Sequence, residues 1–168
     1  MALARVNTAK GLARPAPGTT TTAVHSANEA DTMATTRFDL PTPDHFTQPW
    51  WDAAAEGRLL LMRCSTCGEA HYYPRPFCPR CGADTVAWEQ ASGDATLYTW
   101  SVVYQNDLPP FNERVPYVAA VVDLAEGPRM MTNVVGCEFD DLRAGMALRL
   151  EITDVGEGLH VPMFRPAA

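Results

Sequence analysis

Two copies of one short motif constrain this chain more than anything else in it. Cys64-Ser65-Thr66-Cys67-Gly68 and Cys78-Pro79-Arg80-Cys81-Gly82 are both C-x-x-C-G, with ten residues between the two cysteine pairs. A C-x-x-C-G turn points both sulfurs inward and aims backbone N–H groups at them, and its glycine takes the positive φ that ends the turn. Two such knuckles facing each other supply four sulfurs at tetrahedral corners. Zn²⁺ fits that set at about 2.3 Å per bond. Iron fits the same four thiolates, and spacing alone does not separate the two. Paired disulfides or paired redox motifs are the other readings. A redox C-x-x-C sits at a strand–helix junction of a βαβ unit, and no such pattern surrounds these cysteines.

Four protein ligands leave no open position for water or substrate, so the expected Cys64, Cys67, Cys78 and Cys81 site is structural. His71 lies between the knuckles but is a redundant ligand beside four thiolates. Arg63, Arg75 and Arg80 flank the site and are placed to offset the formal charge of about −2 on a tetrathiolate zinc.

The 168 residues suffice for one ordinary domain or two small ones. With 13 basic and 20 acidic residues the formal net charge is −7, and the only lysine is Lys10. That balance argues against broad nucleic-acid or anionic-membrane binding. No apolar run is long enough to span a bilayer. Zinc-type cysteines without an export signal point to the cytoplasm.

In chain order, residues 1–36 read as a disordered leader, rich in Ala, Thr and Pro and poor in large apolar residues. Met33 is an alternative start, and Arg5, Lys10 and Arg14 faintly resemble a transit peptide. Residues 37–63 form an N-terminal segment. Its helix begins near Pro49 and ends at Gly57, and a short strand follows from Arg58 to Arg63. Trp50 and Trp51 point about 100° apart on such a helix, so one packs inward and the second faces elsewhere; either the chain's own loops cover both or the pair forms a partner-docking surface. The ribbon spans 64–84. Residues 85–168 alternate strands and turns, with about five strands and a helical turn at Phe139–Leu142 between the third and fourth. This is the order of an OB-fold barrel, with an SH3-like barrel as the alternative. The expected class is therefore mainly β: a short helix, a rubredoxin-like ribbon and a five-stranded OB barrel. Tyr98, Trp100, Val102 and Tyr104 are expected on one face of a long strand.

At this level the chain resembles the DUF35 family. The resemblance runs from Pro41 to Pro166. It rests on Trp50-Trp51-Asp52-Ala53-Ala54-Ala55-Glu56-Gly57-Arg58-Leu59, both knuckles, Tyr98-Thr99-Trp100-Ser101-Val102-Val103 and the stretch from Pro116 to Gly127. Leu142-Arg143-Ala144-Gly145-Met146 and Phe164-Arg165-Pro166-Ala167 complete it. One departure is Ser92-Gly93-Asp94-Ala95, where the family has a basic residue and a second glycine. The resemblance implies an accessory subunit of acyl-CoA metabolism. Such proteins bind thiolase-like enzymes, including lipid-transfer-protein-type aldolases of steroid side-chain degradation, and others associate with enoyl-CoA hydratases. The OB domain is thought to help hold the CoA thioester. Because thiolase-like enzymes are usually dimers, a heterotetramer is the expected assembly.

The residues fit that role. No H-E-x-x-H, G-x-S-x-G or phosphate loop is present. Cys137 stands outside the ribbon with no histidine near it in sequence and reads as an inert thiol. Catalytic residues are expected to be none. Arg75, Arg114 and Arg129 are the basic candidates for CoA phosphates, and Tyr98, Trp100, Tyr104 and Phe111 the aromatic candidates for adenine or the acyl chain. The alternative is a single-stranded nucleic-acid binder stacking bases on Tyr98, Trp100 and Tyr104.

Overall fold

The computed structural model describes residues 40–167. The leader expected at 1–36 lies outside the described residues.

Helix α1 spans Gln48–Ala55, with Pro49 in its first turn. The Asp44 carboxylate prepares that start. It accepts the backbone N–H groups of Phe46 and Thr47 and the Thr47 hydroxyl. These bonds hold its pKa below the usual carboxylate value, the Thr47 backbone N–H first. Gly57, at φ 80°, ends the helix, and its N–H donates to Ala54 O. Ala53 and Ala54 are buried, and the helix packs on strands β1 (Leu60–Cys64) and β8 (Leu159–Pro166).

Strand β1 is central in a three-stranded antiparallel sheet ordered β2-β1-β3, where β2 is Ala70–His71 and β3 is Val86–Gln90. The inter-knuckle loop thus begins as a two-residue strand, a pairing that its prolines obscured. β3 falls in the stretch expected for the barrel but hydrogen-bonds the full length of β1, from Leu60↔Gln90 to Cys64↔Val86. Arg63 and Glu89 meet across that pair in a two-pronged ion pair, Nε to Oε2 2.7 Å and Nη2 to Oε1 2.6 Å.

The remaining strands are β4 (Asp94–Val103), β5 (Tyr117–Leu124), β6 (Arg129–Val134) and β7 (Ala147–Gly156). With β8 they close a barrel in the order β4-β5-β6-β8-β7, and a 3-10 turn at Phe139–Asp141 separates the third strand from the fourth. This is the OB-fold expected, and it disposes of the SH3-like alternative. β5 alternates strictly: Val118, Ala120, Val122 and Leu124 are buried while Tyr117, Ala119, Val121 and Asp123 face outward. Phe164 on β8 is fully buried among them. The core is continuous with that of the ribbon side, since Trp50, Leu59, Leu61 and Ala91 belong to the same buried cluster.

One expectation about β4 is corrected. Its pairing with β5 shifts between Leu97 and Thr99. The extra residue of this bulge reverses the alternation. Ala95 and Leu97 point inward before it, and Trp100 and Val102 lie opposite the inward Ala120 and Val118 after it. Tyr98 is left on the outer surface, 49% exposed. The row Tyr98–Trp100–Val102–Tyr104 is therefore not one face, since Tyr98 lies apart from Trp100 and Val102.

The Ser92–Ala95 turn is held by the protein's own side chains. Glu126 Oε1 accepts the Ser92 N–H at 2.6 Å, and Asp94 pairs with Arg149 at 2.7 Å. Gly93 sits at φ 84°, and a Cβ there would lie 3.1 Å from Leu150 Cβ, so both conformation and contact demand glycine. No helix among the described residues is long and apolar enough to cross a membrane.

Candidate functional site

The four knuckle sulfurs converge. All lie within 4.8 Å of one another, with Cys64–Cys81 and Cys67–Cys78 at 3.7 Å each. A tetrahedron with metal–sulfur bonds of about 2.3 Å has edges of about 3.8 Å, so the set matches a tetrathiolate metal and not disulfides. The backbone repeats between knuckles. Gly68 N–H donates to Cys64 O and Gly82 N–H to Cys78 O, both at 2.9 Å, with the glycines at φ 75° and 76°. Cys64 and Cys78 are buried, while Cys67 and Cys81 are exposed. The fit is that of a structural zinc: four protein sulfurs, half shielded, with no further ligand position.

The thiols hydrogen-bond to one another, which favours the thiolate at Cys64 and the thiol at Cys67. The Cys67 backbone N–H pulls the Cys64 thiol down to about 6. The Glu69 N–H pulls Cys67 the same way, but burial and the neighbouring thiols outweigh it and leave Cys67 at about 12. A bound dication reverses this competition, because it stabilises every thiolate at once.

Two of the flanking arginines, Arg63 and Arg80, have protein partners. Arg63 clamps Glu89 and donates Nη1–H to Gly68 O at 2.9 Å, so it braces the first knuckle through its backbone. Arg80 pairs with Glu69 at 2.5 Å. Arg75 is exposed on the loop between the knuckles. His71 is 5% exposed and stands outside the sulfur cluster, and neither ring nitrogen has a hydrogen-bond partner among the described residues.

The other candidates separate into three places. Phe111 and Arg114 line a cavity of about 390 Å³ at the barrel wall, together with Tyr117, Asn133, Cys137 and Phe139. Cys137 is half-buried, and burial followed by Asp141 and Glu138 raises its pKa, which makes it a poor nucleophile. Tyr98 and Arg129 form an outer-surface group: the guanidinium lies 3.5 Å above the ring centroid and binds Asp123 Oδ1 at 2.6 Å. Trp100 packs against the core, and Tyr104, 70% exposed, meets Phe139 edge-on. The basic and aromatic candidates thus do not form one constellation.

Trp50 and Trp51 stack edge to face, centroids 4.7 Å apart. Trp50 is buried and Trp51 half-buried. Both line a second cavity of about 490 Å³ between the helix, the inter-knuckle loop and the barrel, bounded also by Tyr72, Met131, Pro162 and Met163. Burial raises the pKa of Tyr72 in this wall. Apart from Phe111, Arg114 and Cys137, the barrel residues of the two cavities carried no sequence signal, because they come from segments that meet only in the fold.

A helix, a four-sulfur ribbon and a closed OB barrel on one shared core define a two-module metal-ribbon protein. The chain belongs to the DUF35 family. Residues 51–87 match the family model "ChsH2, rubredoxin-like zinc ribbon domain" and residues 88–153 match "ChsH2, C-terminal OB-fold domain". A solved structure described as "Ltp2-ChsH2(DUF35) aldolase" superposes with a TM-score of 0.68 at 34% identity, covering 77% of this chain and 100% of that one. A "Probable enoyl-CoA hydratase alpha subunit" of Thermomonospora curvata is 38% identical over 121 residues, 70% of this chain and 36% of the relative. A "DUF35 domain-containing scaffold protein" of Methanocaldococcus jannaschii is 36% identical over 89 residues, 52% of this chain and 62% of the relative. The chain therefore spans only about a third of the first of these curated relatives and under two thirds of the second.

Proposed function

We propose that this chain is the accessory subunit of a thiolase-like enzyme, which it binds and whose acyl-CoA substrate it helps to hold during carbon–carbon bond cleavage or formation. The observation that carries this reading is the superposition, over its whole length, of the DUF35 chain described with an Ltp2 aldolase. The metal centre supports it as a brace rather than a reactor, because all four positions are taken by protein sulfur. Arg114 and Phe111, which line the first cavity, are the proposed contacts for a CoA phosphate and an apolar segment. Trp51, half-buried on α1, is the candidate partner contact. Steroid side-chain acyl groups are the substrate class the family resemblance favours.

A second reading is a subunit of an enoyl-CoA hydratase complex. It rests on the Thermomonospora curvata relative, of which this chain corresponds to a part. One experiment separates the two. The thiolase-like and hydratase enzymes of the same host are each assayed with and without this chain. The proposal predicts that carbon–carbon bond cleavage by the thiolase-like enzyme depends on it and that hydration does not. The reverse dependence would establish the second reading.

A further inference from the structure

The loop between the knuckles carries side chains that the sulfur centre does not use. It is pinned at both ends. Ala70 and His71 pair with Arg63 and Met62 of β1, and the buried Cys78 donates its N–H to Ala83 O at 2.8 Å. Between these points Tyr72 packs toward the core, its ring centroid 6.4 Å from that of the buried Trp50. Pro74 and Pro76 fix φ at two of the residues that follow. A loop held in this way has little conformational entropy left to lose on binding.

What it presents outward is Tyr73, 70% exposed, and Phe77, 46% exposed, with the exposed Arg75 midway between them. Aromatic residues and arginine are the types enriched at protein–protein interfaces, and Tyr and Arg carry much of the binding energy there. The apolar surface continues past the loop, because Tyr73 lines the second cavity together with Trp51 and the exposed Met131.

Charge narrows the kind of surface that fits. Arg63 and Arg80, the other arginines of the ribbon, are neutralised by Glu89 and Glu69. Arg75 has no hydrogen bond or ion pair among the described residues, although the whole chain carries a net charge of −7. It lines neither of the two cavities, so a small ligand would find no walls around it. Its counter-charge fits better on the surface of another protein, which also covers the two rings.

We propose that Tyr73, Arg75 and Phe77 form the docking face for the enzyme partner. The complementary surface holds a carboxylate between two apolar depressions. The carboxylate takes the Arg75 guanidinium through paired N–H donors, and the depressions take the rings. The inference rests on the enzyme-binding reading above. It adds the face and its chemistry, and it makes presentation of this loop the role of the ribbon.

The test measures binding of the full-length chain to the purified thiolase-like enzyme of the same host by biolayer interferometry, with the zinc content of each variant determined alongside. Tyr73→Ala and Phe77→Ala are each expected to weaken binding by about tenfold. Arg75→Glu sets a like charge against the partner's carboxylate and is expected to weaken it by at least about thirtyfold. Zinc content is expected to stay unchanged in all three. Binding of all three within about twofold of wild type would overturn the docking face while the enzyme-binding reading stands. Loss of zinc with loss of binding would make these side chains structural and overturn it too. Arg75→Glu that keeps the enzyme but loses affinity for CoA would assign Arg75 to a phosphate instead. If the wild-type chain does not bind the enzyme, the reading and the docking face fail together.

Discussion

At the scale of single residues, the cysteines and the glycines after them explain most of what was legible. Cys64, Cys67, Cys78 and Cys81 announce a site by spacing alone, because a tetrahedral ion tolerates few alternatives to two facing turns. In small ribbons of this kind the binding free energy of the metal is also folding free energy, about 10–16 kcal/mol in zinc-finger peptides. Cys67→Ser is accordingly expected to lose most bound zinc and to unfold the ribbon side of the molecule. Metal analysis by mass spectrometry alongside thermal melting checks it, and unchanged metal content and melting would refute the tetrathiolate centre. Trp50 and Trp51 show the limit of residue-level reading. A helix separates their directions, but only the fold shows that Trp50 faces the shared core while Trp51 stays partly open.

Among the elements, the ribbon strands and barrel strands were largely readable, and the exceptions share a physical cause. Alternation predicts faces only while each residue advances the pleat by one step. The bulge after Leu97 adds a step, and nothing local marks it, since Tyr98 and Trp100 are both good strand formers. β2 is two residues long and exists because β1 offers it an edge. β3 pairs with β1 in the same way, so the ribbon sheet reaches past the second knuckle. The Arg63–Glu89 pair on that sheet gives a pH prediction. Glu89's pKa is lowered, chiefly by its hydrogen bond from Arg63. A depressed folded pKa contributes stability that is present above the unfolded value, near 4.3, and is lost as pH falls through the folded value. Glu89→Gln should therefore cost about 1 kcal/mol or less at neutral pH, because the pair is partly exposed. The difference from wild type should vanish as acid protonates Glu89, which denaturant titrations at a series of pH values would show. A gap that persists after protonation would assign it to packing instead. Phe164 carries the one β6–β8 rung and is fully buried. Phe164→Ala is expected to cost about 3–5 kcal/mol in urea unfolding. A loss under 1 kcal/mol would show that the seam does not depend on it.

For the whole molecule, the order of helix, knuckles and strands made the fold class readable, and the resemblance named the family. The cavities were not readable, because each gathers residues from segments far apart in sequence. Phe111 and Arg114 were candidates for their chemistry, yet their joint place beside Asn133 and Cys137 emerges only when the barrel closes. Trp51 and the second cavity likewise become neighbours only because α1 packs against β8. The proposed role of this chain is to hold an enzyme. It is tested most directly by isolating the tagged full-length protein from its native host and identifying co-purifying proteins by mass spectrometry. A thiolase-like subunit is expected in roughly equal amount, reduced when Trp51 is replaced by alanine at unchanged zinc content. Recovery of nucleic acid, or of the chain alone with acyl-CoA turnover of its own, would contradict it.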